Sequence, residues 1–149
     1  MIRILLGALI ATASLAAVEQ WQGLEGGADS AVAFLDYDGT NLTALGSFNA
    51  IGGQAIHYAG RRTGTTWAAM GNPSWGGAPS AYLRTAGGTV IVAAPSSGGG
   101  PLTYALYNWN GSSWVTYSVG GVFNSVVYGL AETSDGVYAV GDFTTVTGI

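Results

Sequence analysis

Short apolar runs recur along the chain, and clusters of glycine, proline, serine and asparagine separate them. Several runs alternate between apolar and polar positions, the two-residue period of half-buried strands. Beyond residue 17 no stretch has a clear helical period of 3.6 residues, so the pattern predicts strands and no helix. The predicted strands cover residues 31–36, 41–45, 55–59, 65–70, 80–85, 89–94, 103–109, 113–118, 125–131 and 137–140, preceded by one strand around Trp21.

Three tryptophans mark a repeat. Trp21 and Trp67 lie 46 residues apart, and Trp67 and Trp114 lie 47 apart. The preceding residues match too, since Gly64-Thr65-Thr66 leads into Trp67 and Gly111-Ser112-Ser113 leads into Trp114. A repeat of roughly this length with four strands per copy is typical of a β-propeller blade.

Two Asp-Gly pairs support the same period. Asp38-Gly39 and Asp135-Gly136 each lie between apolar runs, a pattern that predicts a β-hairpin. Beyond them, Gly46-Ser47-Phe48-Asn49 matches Gly141-Asp142-Phe143-Thr144 at a distance of 95 residues, which is two periods. In the middle copy Gly87-Gly88 replaces the Asp-Gly pair.

The predicted fold class is therefore all-β: β-propeller-type repeats of four-stranded antiparallel blades, in an incomplete ring of two full blades plus partial ones. A single blade has two apolar faces and buries them only by stacking on its neighbours. Closed propellers have about 4–8 blades. We therefore expect a repeat region truncated at its C-terminus or, as the alternative, a ring completed by several chains. An unpaired final strand predicts self-association through exposed edge strands.

The N-terminus has the composition of an export signal. Arg3 precedes an apolar run, and Ser14-Leu15-Ala16 fits a small-residue cleavage site. Residues 1–17 are predicted to be a signal peptide and residues 18–149 the propeller repeat region. A membrane anchor is the alternative, but the apolar run is shorter than the roughly 20 residues of a span. We expect a secreted or cell-surface protein whose mature form has no membrane segment.

Residues 67–71, 106–114 and 135–144 also carry a family resemblance. They resemble the kelch-like repeats of exported bacterial β-propeller proteins, in which a strand of the form G-x-L-Y-x-G-G-x-F-T is followed by W-N-G-x-x-W-x-x-L-G. The chain departs from that pattern in two places. Ala93-Ala94-Pro95 replaces the Gly-Gly-x-Phe segment of the middle copy, and Arg62 replaces the counterpart of Trp109 in the first. The resemblance implies an architecture and says almost nothing about activity.

Composition narrows the functions. Charged residues are 8% of the 149 residues, against roughly 25% in ordinary soluble domains. The net charge is −4 with four Lys and Arg residues, so we expect no nucleic-acid partner and no binding to an anionic membrane. Cysteine is absent, which excludes disulfides, thiolate metal sites and a cysteine nucleophile.

No catalytic, metal-binding or cofactor-binding residue is predicted, and no cofactor. His57, the one histidine, is expected to be a structural or surface residue on a strand. Residues 36–41 place oxygen ligands at alternate positions, as a calcium site would, but a hairpin turn explains Asp38-Gly39 better. Arg61-Arg62 is a small basic spot between strands, and a solvated loop is favoured there over an anion site. Four acids could in principle supply the carboxylate pair of a glycosidase: Glu25, Asp29, Asp36 and Asp38. We favour the interpretation that they are ordinary carboxylates in turns.

The sequence leaves three functional hypotheses. The first is an exported, non-enzymatic propeller scaffold for adhesion or protein interaction. The second is a carbohydrate-binding propeller lectin assembled from several chains, in which Trp75, Trp109 and Trp114 stack on sugars; the competing interpretation makes these tryptophans core residues between blades. The third is a fragment of a larger secreted propeller enzyme. The expected partner is thus a protein or a glycan.

Overall fold

The computed structural model describes residues 26–98, 101–118 and 120–148. Within these ranges the chain has fourteen strands and no helix, and none of its antiparallel sheets closes on itself, so the all-β prediction is confirmed. The predicted signal peptide and the strand around Trp21 lie outside the described residues. The strands are β1 (Val32–Tyr37), β2 (Asn41–Gly46), β3 (Ala50–Ile51), β4 (Gln54–Ala55), β5 (Ala59–Thr63), β6 (Thr66–Ala69), β7 (Ala81–Arg84), β8 (Val90–Pro95), β9 (Tyr104–Trp109), β10 (Trp114–Thr116), β11 (Val122–Phe123), β12 (Val127–Thr133), β13 (Gly136–Gly141) and β14 (Val146–Thr147).

Three successive units follow one another. The first sheet pairs β1, β2, β5 and β6 in that order. The second sheet pairs β7, β8, β9 and β10, and β11 and β14 extend it past the far end of β9. The third unit is the hairpin of β12 and β13, which we call the third hairpin. Both predicted Asp-Gly hairpins are confirmed, since Asp38-Gly39 joins β1 to β2 and Asp135-Gly136 lies at the turn of the third hairpin.

One predicted strand is wrong. Residues 55–59 were expected to form the third strand of the first copy, but that strand is β5 and begins at Ala59. Residues 54–55 belong instead to the short β3–β4 hairpin, and Tyr58 adopts a left-handed φ of 60°. The apolar-polar alternation of Ala55-Ile56-His57 thus spans the end of β4 and the connection to β5. Arg61 and Arg62 consequently lie half-buried in β5 and not in a loop.

The segments that match in sequence at a distance of 95 residues, which is two periods, also have the same backbone geometry. In β1–β2 the register shifts between Val32 and Phe34, and in β12–β13 it shifts at the corresponding place, between Val127 and Gly129. The side chain of Asp29 accepts hydrogen bonds from the N–H groups of Asn49 and Ala50 at 2.8 and 3.0 Å. Asn124 makes the corresponding bonds to Thr144 and Thr145, at 2.9 and 3.1 Å.

The segments that match in sequence at a distance of 47 residues, which is one period, also have equivalent strand pairing. Arg62 pairs with Trp67 across β5–β6, and Trp109 pairs with Trp114 across β9–β10. Trp67 and Trp114 therefore occupy equivalent places in successive sheets, and Arg62 stands where the second sheet has Trp109. Each hairpin turns at a glycine of positive φ, 59° at Gly64 and 101° at Gly111, a conformation that costs glycine little.

The three units stack face to face. An inner cluster joins Leu45, Ala59 and Met70 of the first sheet to Val90 and Val92 of the second. A further cluster joins Ile91, Ala93 and Leu106 of the second sheet to Val127 of the third hairpin. Every residue of β8 is buried, because neighbouring units cover both of its faces. An outer cluster on the other face of the first sheet contains Ala44, Phe48, Ile51, Ile56 and Trp67.

Candidate binding site between the first two sheets

The structure brings the three predicted ligand-stacking tryptophans together. The ring centroids of Trp75 and Trp114 lie 4.9 Å apart in an edge-on arrangement, and those of Trp109 and Trp114 lie 5.5 Å apart. Tyr107 and Tyr58 flank Trp75, at 6.0 and 6.3 Å. All five rings pack against the inner cluster, so the aromatic group lies between the first and second sheets.

Two of these tryptophans are packing residues. Trp75 is 6% exposed. The indole N–H of Trp114 donates to the carbonyl oxygen of Met70 at 2.8 Å, which ties the second sheet to the first. Trp109 is half-buried like Trp114, but it differs from both because it forms a wall of a cavity. Sugar stacking stays a prediction for all three, and Trp109 is the one placed to contact a ligand.

The cavity has a volume of about 250 Å³ and lies over the β5–β6 hairpin. Arg61 pairs with Ala68 and Thr63 pairs with Thr66 across the two strands, so these four side chains share the floor. Its lining is completed by Ala69, Met70 and Trp109. The arrangement combines one guanidinium, two hydroxyls and one indole with an apolar base, the mixture expected of a small-molecule site.

Two polar atoms at this cavity have no protein partner. The Nε of Arg61 and the Nε1 of Trp109 are buried, and neither makes a hydrogen bond to a described residue. The ion pair within the described ranges joins Arg84 to Asp36 and does not involve Arg61. The Nε of Arg62 and the Nε1 of Trp67 and Trp75 are likewise buried and unpaired but do not line the cavity, so its ligand chemistry is inferred from the guanidinium, the hydroxyls and the indole of its lining.

Thr63 and Thr66 were not predicted as site residues, and at Arg61 a solvated loop was preferred to an anion site. The register offered one clue. Since Arg62 aligns with Trp109 and side chains alternate along a strand, Arg61 had to face the opposite side of the first sheet from Arg62. That side is the one that packs against the second sheet, but the cavity that Arg61 and Trp109 both line joins residues 48 apart and has no local pattern.

The other candidate residues have structural roles. His57 lies in the turn before β5, with its Nδ1 3.0 Å from the Oδ1 of Asn49. Asp36 forms the ion pair with Arg84 that joins the first two sheets; the guanidinium Nε donates to its Oδ2 at 2.7 Å. No cluster of three or more histidine, cysteine, aspartate or glutamate side chains suited to a metal occurs within the described ranges. The hairpin interpretation of residues 36–41 rests on the pairing of β1 with β2 on either side of Asp38-Gly39.

Asp38 shows what the predicted turn does. Its Oδ1 accepts the backbone N–H groups of Asn41 and Thr40 at 2.7 and 2.9 Å, and the side-chain amide of Asn41 lies at 3.1 Å from Oδ2. The Asn41 backbone bond, then the Asn41 side chain and the Thr40 bond, lower the pKa of this carboxyl from 3.8 to about 2. The ionised form is therefore the one that holds the hairpin.

We expect this carboxylate to make stability depend on acid pH. Because its pKa is lower in the folded than in the unfolded chain, its contribution is full above pH 3.8 and is lost as the pH falls towards about 2. Asp38→Asn keeps an acceptor oxygen but does not titrate. Thermal unfolding measured from pH 5 downwards should show the wild type losing stability relative to Asp38→Asn; parallel curves would contradict this prediction.

A second cavity, of about 410 Å³, lies between the second sheet and the third hairpin. Its lining includes Phe123, Val137, Ala139, Phe143 and Val146, which correspond at 95 residues to Ala28, Leu42, Ala44, Phe48 and Ile51 around the outer cluster. In the first sheet that same space holds the side chains of Ile56 and Trp67. The second cavity is therefore a packing space of the repeat, and its lining is mainly apolar.

Among the described residues, no helix is both long and apolar enough to cross a membrane. Comparisons with protein-family models, with curated proteins and with solved structures find no match to this chain. The candidate site must therefore be interpreted from its own geometry.

Proposed function

We propose that this chain is an exported β-propeller-type repeat protein of the kelch-like kind, which acts without catalysis as a scaffold for adhesion or protein interaction. The observation that carries the proposal is the stacking of successive antiparallel units through equivalent residues, with Trp67 and Trp114 in matching strands. Units of this kind build a rigid body whose turns present variable surfaces. We treat the three units as successive propeller blades, the second with four strands like the first.

A binding role fits the structural roles of the aspartates in the first sheet and the turns beside it. Asp29 and Asp38 accept backbone N–H groups in turns, and Asp36 is paired with Arg84. The turn contacts lower the pKa of Asp29, chiefly through Ala50 and then Asn49. These three carboxylates hold turns and the contact between the first two sheets, which supports a structural role for them over the glycosidase pair considered from the sequence.

Export is tested by expressing the full chain in a bacterium and weighing the product. Cleavage within or after the Ser14-Leu15-Ala16 segment is expected, with a mature N-terminus near Val18 in the extracytoplasmic fraction. Recovery of the uncleaved chain in the cytoplasm would contradict the export part of the proposal and leave the binding part to the experiment below.

Carbohydrate binding is the second candidate function, and the Arg61–Trp109 cavity favours it. An indole wall suits the apolar face of a sugar ring, and the hydroxyls of Thr63 and Thr66 suit its polar groups. A guanidinium pairs best with a carboxylate, so the preferred sugar would be an acidic one such as a hexuronate. A cavity of about 250 Å³ has room for a single ring.

One array experiment with two arms separates the two candidate functions. The labelled protein is applied to a glycan array that includes uronate-containing oligosaccharides, and to an array of extracellular proteins. Binding of acidic glycans would establish the lectin function, and binding of proteins alone would establish the scaffold. Binding to neither would contradict both.

Site variants then locate any acidic-glycan binding. We expect Arg61→Gln to weaken it about tenfold or more, because a charged hydrogen bond contributes roughly 1.5–3 kcal/mol. Trp109→Ala should abolish it. Arg62→Gln is the matched control, since Arg62 is the adjacent arginine and does not line the cavity. Equal affinities for Arg61→Gln, Arg62→Gln and the wild type would place the binding elsewhere.

A further inference from the structure

Apolar side chains are exposed on the two faces at the ends of the stack. On the third hairpin, Tyr138 and Val140 are 56% and 65% exposed, and we call this the hairpin outer face. On the first sheet, Leu35 and Tyr37 are 57% and 65% exposed beside the outer cluster, and we call this the sheet outer face. Repeat arrays normally end in polar faces, which keep them soluble.

The repeat shows what each face is shaped to contact. Val140 and Tyr138 correspond at 95 residues to Leu45 and Thr43, which are 1% and 0% exposed. Leu45 is buried because the second sheet covers it in the inner cluster. The hairpin outer face thus repeats, in its strand pairing and side-chain positions, a surface that the same chain already buries against a neighbouring unit.

The sheet outer face has the complementary property. Leu35 corresponds at 95 residues to Leu130, and Leu130 packs on the second sheet in the cluster between the second and third units. A face like the hairpin outer face therefore receives the next unit, and a face like the sheet outer face docks on the preceding unit. Both kinds of contact occur within this chain. The two exposed faces are the unpaired halves of that contact.

We infer that a second copy of this chain binds head to tail, with its sheet outer face on the hairpin outer face of the first copy. Such a contact joins different surfaces of two identical chains, and it continues as a ring or a filament according to the rotation between copies. It differs from the edge-strand pairing expected from the sequence, because side chains on sheet faces make it and backbone hydrogen bonds do not.

The experiment uses the full chain, as processed by its expression host, in sedimentation velocity over a concentration series. The wild type should sediment as species larger than the monomer, increasingly so with concentration. Leu35→Asp removes one face and Val140→Asp the other, so each variant alone should be monomeric. An equimolar mixture of the two retains one good face of each kind and should form a dimer and nothing larger. Leu102→Asp is the matched control, since Leu102 is 64% exposed but lies outside the strands.

Tyr37→Asp and Tyr138→Asp repeat the test if either first variant fails to give the wild-type near-ultraviolet circular dichroism. A wild type that stays monomeric at every concentration would overturn the inference. So would face variants that associate like the wild type, a mixture that remains monomeric, or an equal loss of association in Leu102→Asp. None of these outcomes depends on which partner or glycan the protein binds.

Discussion

Replacing Gly46 by alanine is expected to destabilise the protein by about 3 kcal/mol, the upper part of the range for overpacking. A Cβ on Gly46 would lie 2.1 Å from the carbonyl oxygen of Ala31 and 2.9 Å from the Cα of Val32. Both are backbone atoms, one in β1 and one in the residue before it, and neither can rotate away. The clash must therefore separate the paired strands β1 and β2 at the position where their register shifts.

Thermal unfolding checks this prediction. We expect a fall in Tm of roughly 10 °C for Gly46→Ala in a chain of this size. Gly141→Ala should meet the same clash in the third hairpin, where the Cβ would lie 2.0 Å from the carbonyl oxygen of Val126. Gly87→Ala is the control, since its nearest neighbour, the Oγ1 of Thr85, is 3.8 Å away. Equal Tm values for Gly46→Ala and Gly87→Ala would contradict the described pairing.

Leu45→Ala is expected to cost about 2–5 kcal/mol, the range for truncating a buried leucine. Its counterpart Val140→Ala should change stability by less than about 0.5 kcal/mol, because Val140 is 65% exposed. The two residues hold the same place in the repeat. The difference between them therefore measures what burial contributes to Leu45, through the second sheet on its face and through β5 beside it.

Urea unfolding at a protein concentration too low for self-association gives both values. Leu45 and Val140 have equivalent partners on one side, Phe34 and Gly129, but Leu45 also pairs with Ala59 of β5, so the difference combines stacking with the contacts of an inner strand. Similar losses for Leu45→Ala and Val140→Ala would mean that the units do not cover one another as described.

Local chemistry made much of the fold predictable. An aspartate followed by glycine selects a hairpin turn, and the two Asp-Gly pairs lie in hairpins. Residues 64–67 and residues 111–114 share the order glycine, two hydroxyl residues, tryptophan. The two segments lie in equivalent hairpins for the same reason. In these segments the turn residues fix the register of both flanking strands.

Longer-range contacts decided what the sequence could not show. The segment before β5 alternates like a strand, yet backbone bonds from the N–H groups of Ile56 and Tyr58 to the carbonyls of Asn49 and Phe48 hold it in a turn. Trp75 and Trp109 have the same side chain, and the packing of two separate sheets makes one a core residue and the other a cavity wall. Residue type alone does not distinguish these roles.

Nuclear Overhauser effects between methyl groups test the face-to-face stacking of the repeated units. We expect cross-peaks from the methyl groups of Leu45 to the valines of β8 in the second sheet. We also expect cross-peaks from Ile91 and Leu106 to Val137 and Leu130 of the third hairpin. Cross-peaks confined to residues within each sheet, with none between successive units, would contradict the stacking.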